Sequence, residues 1–321
     1  MSGRAAALAL ALLAAAPADA QDAWPSKPLR WVVAYAPGGF GDLRARKVGA
    51  ELAKALGQPV VVENRPGAGG VVGTDAVAKA APDGYTLGMG NFAALAVNVS
   101  LQKKLPYDVE RDFTPVVLLE RSPLFLMAGP ALPAANLGAL LAAARAQPGK
   151  IGFGSSGIGG AHHLCGEMLR LQAGIDIVHV PYKGGAPAAA DLLAGHLPMM
   201  FEMGYAAMPS IRSGRARALA VTAGERLALA PEVPTMAEAG MSGFEVYNWQ
   251  GVILPSATPR AIVGRLNREL NAILARPDQR EALAQLASQP AGGTPESFRD
   301  FIRAETARWA RVVHDAKIQP E

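Results

Sequence analysis

The sequence predicts an α/β fold of two lobes, joined by two hinge crossings, with a cleft between them. Three observations lead there. Short β-branched or apolar runs alternate with helical stretches at the spacing of parallel β–α–β units. That plan is visible twice along the chain. Three helical segments then follow the last extended run with no strands of their own to cover, so they must return to the first unit. The first lobe is therefore expected to be discontinuous, residues 21–121 with 248–321, and the second to span 122–247. The crossings fall near Glu120–Pro123 and Glu245–Trp249.

The elements follow in order. Residues 1–20 read as a secretory signal peptide: Arg4, the apolar run Ala5–Ala16, then small residues at Ala18 and Ala20 that fit a cleavage site. The mature chain is expected to be exported, with no later stretch long and apolar enough to span a bilayer. Trp31–Tyr35 is a strand that runs into Ala36-Pro37-Gly38-Gly39-Phe40-Gly41-Asp42, and a helix is expected from Leu43 with Asp42 as its N-cap. Glycines let a ligand approach the backbone, and a helix start offers unpaired N–H groups at the positive end of its dipole. Such a loop is an anion site.

Val60–Glu63 is the next strand, a glycine loop and a helix over 71–80 follow, and Tyr85–Met89 is a third strand. Val116–Leu119 and Leu124–Ala128 read as two strands separated by Arg121-Ser122-Pro123, and 136–146 as a helix. Ile151–Phe153 leads into a second glycine loop, Gly154 to Gly160, with a helix over His163–Leu171. Strands at 175–180, 199–201 and 216–222 alternate with helices at 186–194 and 206–212. After the extended run Glu245–Leu254 come helices at 261–274, 279–286 and one opened by Thr294-Pro295, whose stripe Phe298, Phe301, Ile302, Glu305, Trp309 and Val312 faces a core.

Composition narrows the function. A net charge of +4 without a basic block or interleaved aromatics speaks against nucleic acid. Cys165 is the one cysteine, so no intramolecular disulfide forms; a buried thiol is expected. Gly152-Phe153-Gly154-Ser155-Ser156-Gly157 fits G-x-G-x-x-G, but Asp176 stands at the start of the next strand rather than its end, where a dinucleotide site needs its acid. No cofactor is expected. Ser156 with His163 carries a secreted-hydrolase reading, weakened by Ile158 where a nucleophile elbow needs glycine. His162 and His163 are adjacent, so one of them at most serves the cleft. The histidines lack metal-site spacing. Asp42 reads as a cap or a pocket residue, and Glu202 as a carboxylate at a strand end that meets a ligand donor or solvent.

Several stretches together carry a resemblance: Ala36-Pro37-Gly38-Gly39 with Asp42 and Arg46, Val61 to Gly70, Pro82-Asp83-Gly84-Tyr85-Thr86-Leu87, Val180-Pro181-Tyr182-Lys183-Gly184-Gly185, Arg217 to Thr222, and Val233-Pro234-Thr235 with Glu238-Ala239-Gly240. Over essentially the whole mature chain it resembles the Bug family of periplasmic solute receptors, the extracytoplasmic component of tripartite tricarboxylate transporters. The resemblance implies a type II-like periplasmic binding protein fold and a non-enzymatic, monomeric periplasmic receptor. It further implies that the receptor closes on a small carboxylate and delivers it to membrane permease subunits; a sensory role, docking on a membrane signalling protein, is the alternative.

Carried over by resemblance, the ligand-binding residues are Ala36, Pro37, Gly38, Gly39, Phe40, Gly41, Asp42, Asn91, Ser155, Ser156, Gly157, Gly159, Gly160, His163, Gly185, Ala186 and Glu202. The chain departs from the family pattern at Gly41 and Gly160, where hydroxyls are common, and at Glu202, where Asp is usual. Phe40 adds an aromatic ring. Those departures point to a monocarboxylate with an apolar or aromatic body.

Overall fold

The computed structural model describes residues 24–319, so the signal-peptide expectation for 1–20 lies outside the described residues. The first unit is built from β1 (Leu29–Val33), α1 (Phe40–Leu56), β2 (Val60–Asn64), α2 (Val71–Ala78) and β3 (Thr86–Asn91). A π-helical turn at Ala93–Val97 and the short α3 (Asn98–Leu101) follow. β1 lies between β2 and β3, parallel to both.

One long strand, β4 (Phe113–Ala128), then leaves this unit and enters the next. The second unit is α4 (Leu137–Ala146), β5 (Ile151–Ser155), α5 (Ala161–Ala173), β6 (Ile177–Pro181), α6 (Gly185–Ala194), β7 (Met199–Met203), α7 (Gly204–Arg212) and β8 (Arg217–Val221). The chain returns through β9 (Tyr247–Pro255) and ends with α8 (Arg260–Ala275), α9 (Pro277–Ala284), β10 (Gln289–Gly292) and α10 (Pro295–Asp315). The strand order is β2-β1-β3-β9-β4-β7-β5-β6, with β8 and β10 also paired to β4.

β4 corrects the expectation of two strands. Its first part pairs with β9 and β10, and from Leu124 onward its partners are β7 and β8. Pro123 sits at the changeover, so its missing N–H costs no ladder bond where the partners are exchanged. Immediately after it, the Leu124 N–H donates to Thr222 Oγ1 at 2.8 Å. The Thr222 carbonyl accepts the Val246 N–H at 3.0 Å, so Thr222 ties both crossings together.

Of the three returning helices, α8 packs on the first unit. Val263, Leu266, Leu270 and Ile273 of α8 pack with Leu29, Trp31, Val48 and Leu52 in one core. α10 carries its stripe into another core, which runs from Phe92 and Leu95 through Trp249 to Phe153 and Leu164. Thr294 caps α10 through the Ser297 N–H, and Pro295 opens it. Within α10, Glu305 is buried because its Oε2 accepts from the indoles of Trp249 at 2.9 Å and Trp309 at 3.0 Å. β10, the π-helical turn and α3 have no counterpart in the sequence reading.

Candidate functional site

A cavity of about 270 Å³ opens between the two units. One side is Tyr35, Gly39, Phe40, Gly41, Asn91, Phe92 and Ala93. The facing side is Ser156, Gly160, Ala161, His162, Gly185, Glu202, Met203 and Tyr205, with Asn248 and Gln250 of β9 completing it. The beginnings of α1, α5, α6 and α7 all converge here, and none has a side-chain cap. Their free N–H groups and positive dipole ends are therefore left for whatever occupies the cavity. No Lys or Arg lines it among the described residues.

The first loop is held from below. Helix α1 starts at Phe40 with Gly39 in the cap position, three residues before the expected start, so Asp42 is not its N-cap. Asp42 is buried in the first turn and reaches back: Oδ2 accepts the Gly38 N–H at 2.8 Å and Arg46 Nε at 3.1 Å. Arg46 foremost, with the Gly38 N–H, holds this carboxyl below its usual range. Gly38 has φ +78°, the left-handed region where glycine is at ease. The Phe40 ring reaches across and stacks on Tyr205 from the start of α7, centroids 5.6 Å apart and planes 9° from parallel.

Asn91 ends β3 opposite Gln250 of β9. Its Oδ1 accepts from the Ala93 N–H at 3.0 Å, the Ala94 N–H at 3.1 Å and the Tyr35 hydroxyl at 3.2 Å. Those donors fix the amide's orientation. Nδ2 is buried without a protein partner, as is Gln250 Oε1, and an unpaired buried donor on a cavity wall is where a ligand oxygen is recognised. Burial pushes the Tyr35 phenol up to about 12.

The second loop is fastened by imidazoles and a hydroxyl. His163 is buried behind the loop, where its Nδ1 accepts the Gly159 N–H at 3.1 Å and its ring stacks on His179 at 3.9 Å. Burial, with His179 beside it, brings His163 down to about 3; burial brings His179 to about 4. Both are neutral at ordinary pH. Ser155, fully buried, contacts His179 Nε2 at 2.6 Å and exchanges hydrogen bonds with Gly157. Ser156 faces the cavity, and its Oγ lies 2.9 Å from His162 Nδ1. His162 Nε2 in turn lies 3.0 Å from Glu202 Oε1, which also accepts the Met203 N–H at 2.8 Å. Gly185 leaves room for that carboxylate: a Cβ there would stand 3.0 Å from Glu202 Oε2.

The chain is similar to known proteins in sequence and fold. Residues 44–318 match the profile of the tripartite tricarboxylate transporter family receptor. The chain belongs to that family. Receptors of the family bind solutes, and several relatives match nearly the whole of this chain. BugT of Bordetella pertussis is 42% identical over 302 residues, 94% of this chain and 92% of BugT. Among solved structures, R. palustris Rpa4515 with adipate has a TM-score of 0.86 at 35% identity, covering 93% of this chain and all (100%) of that one. MatC from Rhodopseudomonas palustris with bound malate has a TM-score of 0.81 at 34% identity, covering 90% of this chain and 99% of its own. The receptor thus has the two-lobed periplasmic binding protein fold that the sequence predicts.

The residues expected to form the receptor's site divide into two groups. Gly39, Phe40, Gly41, Asn91, Ser156, Gly160, Gly185 and Glu202 line the cavity. Ala36, Pro37 and Gly38 are exposed residues of the first loop, Ala186 is exposed on α6, and Asp42, Ser155, Gly157, Gly159 and His163 lie in or behind the loops. Sequence reasoning missed Tyr35, Phe92, Ala93, Ala161, Met203, Tyr205, Asn248 and Gln250, and it paired Ser156 with the wrong histidine: the contact is with His162. Because α5 starts at Ala161 rather than His163, His162 sits in its first turn, facing the loop. Asn248 and Gln250 did carry a signal: polar residues two apart in a buried strand share a face and need a partner there.

Proposed function

We propose that this receptor works in the periplasm as a monomer, closing on a small carboxylate with an apolar or aromatic body and passing it to permease subunits of a tripartite transporter without chemistry. The observation that carries the reading is the convergence of four uncapped helix starts on one cavity whose remaining walls are largely aromatic and apolar. Backbone N–H groups take the carboxylate; Phe40, Phe92, Tyr205 and Met203 take the body. The cavity lies just below the range of drug-sized ligand sites, roughly 300–1,000 Å³, which favours a small acid. Adipate in Rpa4515 and malate in MatC are acids of that size.

In this reading the lobes are residues 21–121 with 248–321, and 122–247, moving about the two crossings. The partner change at Pro123 supports the boundary, as does Arg121, whose guanidinium lies 4.8 Å from the Tyr247 ring centre. Ala36, Pro37 and Gly38 then act as the rim of the anion loop, and Asp42, Ser155, Gly157, Gly159 and His163 shape the two loops rather than touch the ligand.

A thermal-shift screen of benzoate, hexanoate, adipate, aspartate and citrate on ligand-stripped protein tests the ligand class. Monocarboxylates with apolar bodies are expected to stabilise most, and Phe40→Ala to weaken them by about 1 kcal/mol, roughly fivefold, while anion binding survives. Strongest stabilisation by citrate or aspartate would overturn the ligand class. Turnover of p-nitrophenyl esters that disappears in Ser156→Ala would overturn the receptor reading itself.

A further inference from the structure

We propose that carboxylate binding here is proton-linked: the anion enters together with one proton, held on His162 between Ser156 and Glu202. This inference rests on the carboxylate-receptor reading. Glu202 Oε1 accepts the Met203 N–H and faces His162 Nε2 at 3.0 Å, so this oxygen is already committed as an acceptor. A neutral His162 carries one ring hydrogen. With the carboxylate on that side, the hydrogen sits on Nε2, and bare Nδ1 accepts the hydroxyl hydrogen of Ser156 at 2.9 Å. The hydroxyl then turns its lone pairs toward the cavity. The helix-start N–H groups attract an arriving carboxylate, but at Ser156 it would meet those lone pairs and, behind them, the Glu202 carboxyl, with no Lys or Arg among the described lining residues beside either.

One added proton reverses both problems. Nδ1–H donates to Ser156 Oγ, the hydroxyl hydrogen is released to the ligand, and the His162–Glu202 pair becomes neutral overall. The balance is one anion and one solvent proton taken up, with no bond broken. Other groups near His162 do not supply that proton. Tyr205, beside Glu202, and Tyr35, across the cavity, are both pushed up to about 12, chiefly by burial, and stay neutral. His163 on α5 turns away to Gly159 and to His179 of β6, and Glu167 pairs with Arg170. Arg308 and Arg311 of α10 lie by Met168 and Leu171, toward the other end of α5.

Calorimetric titration with benzoate and with hexanoate, each in phosphate and in Tris at pH 7.5, measures the protons exchanged. Repeating it above pH 6 keeps the ligand carboxyl ionised throughout. About one proton is expected to be taken up per ligand, with affinity falling about tenfold per pH unit on the alkaline limb. His162→Gln and Glu202→Gln each keep the size of the side chain and should abolish the uptake and flatten that limb. Should one variant not fold, judged by its melting transition, the other decides. Tight binding with no proton exchanged, or unchanged uptake in the folded variant, would overturn the proposal while leaving the receptor intact. Absence of binding by every carboxylate in the thermal screen would overturn both.

Discussion

The loop of residues 36–41 is fastened by a carboxylate, Asp42, whereas the loop of residues 155–160 is fastened by imidazoles and by Ser155. Both end at an uncapped helix start on the same cavity. Their anchors differ in what acid does to them. Asp42 is held below its usual range, so its contribution is present above the unfolded value near 3.9 and is lost only as pH falls through its folded value. His163 and His179 are held neutral, at about 3 and about 4. Below about pH 6.5 the unfolded chain takes up protons that these buried rings refuse, so stability falls as pH falls. One loop is thus indifferent to mild acid and the other is sensitive to it.

Removing each anchor sharpens that contrast. Asp42→Ala should have the largest effect: the Gly38 N–H loses a charged acceptor, and about 1.5–3 kcal/mol of stability is expected to go in urea titrations. Across pH 5–8 that loss should stay constant; one that grew on acidification would break the comparison. His163→Leu should cost less at neutral pH, about 1–2 kcal/mol for the Gly159 N–H left unpaired. Its signature is the slope: the fall in melting temperature between pH 6.5 and 4 should be shallower than in the parent.

Glu120 makes that parent-to-variant difference the proper measurement. It is buried 3.5 Å from Arg44 and, foremost through burial, is pushed up to about 7. Between about 4.5 and 7 it therefore favours the folded state as pH falls, opposing the histidines. Gly160→Ser should have the smallest effect. Gly160 already has an extended backbone, φ −74° and ψ 162°, and a serine there can cap α5. A gain of only a few tenths of a kcal/mol over glycine is expected. A large loss would mean that contact with Ser156 Oγ, 3.2 Å from a Cβ at this position, cannot relax.

The parts of this molecule that were legible in the sequence are those written locally. A strand that runs into glycines and then into an amphipathic helix announces itself within thirty residues, and both loops were found that way. Thr294-Pro295 at the start of α10 is equally local. What was not legible depends on distant partners. Tyr205 becomes a wall only because Phe40 reaches it, and Asn248 and Gln250 only because β9 runs beside β3 and β4. Pro123 reads as a break until the strand is seen to exchange neighbours there. Asp42 reads as the N-cap, yet the helix begins at Phe40 and the N–H that Asp42 satisfies lies before it, at Gly38. Choosing His162 over His163 required the start of α5 to within two residues, finer than helix ends can be read.

The position of β9 between β3 and β4 has a consequence for how the chain is made. β3 ends at Asn91 and β9 begins at Tyr247, so the flank of β3 that β9 occupies waits for nearly half of the polypeptide before it can be paired. Until then both β3 and β4 present raw edges, the surfaces on which chains stick to one another. Pairings so distant in sequence also form slowly. A chain that ends before β9 is therefore not a smaller receptor. It is two open sheets without the strand that joins them, and it lacks the two amides that complete the cavity.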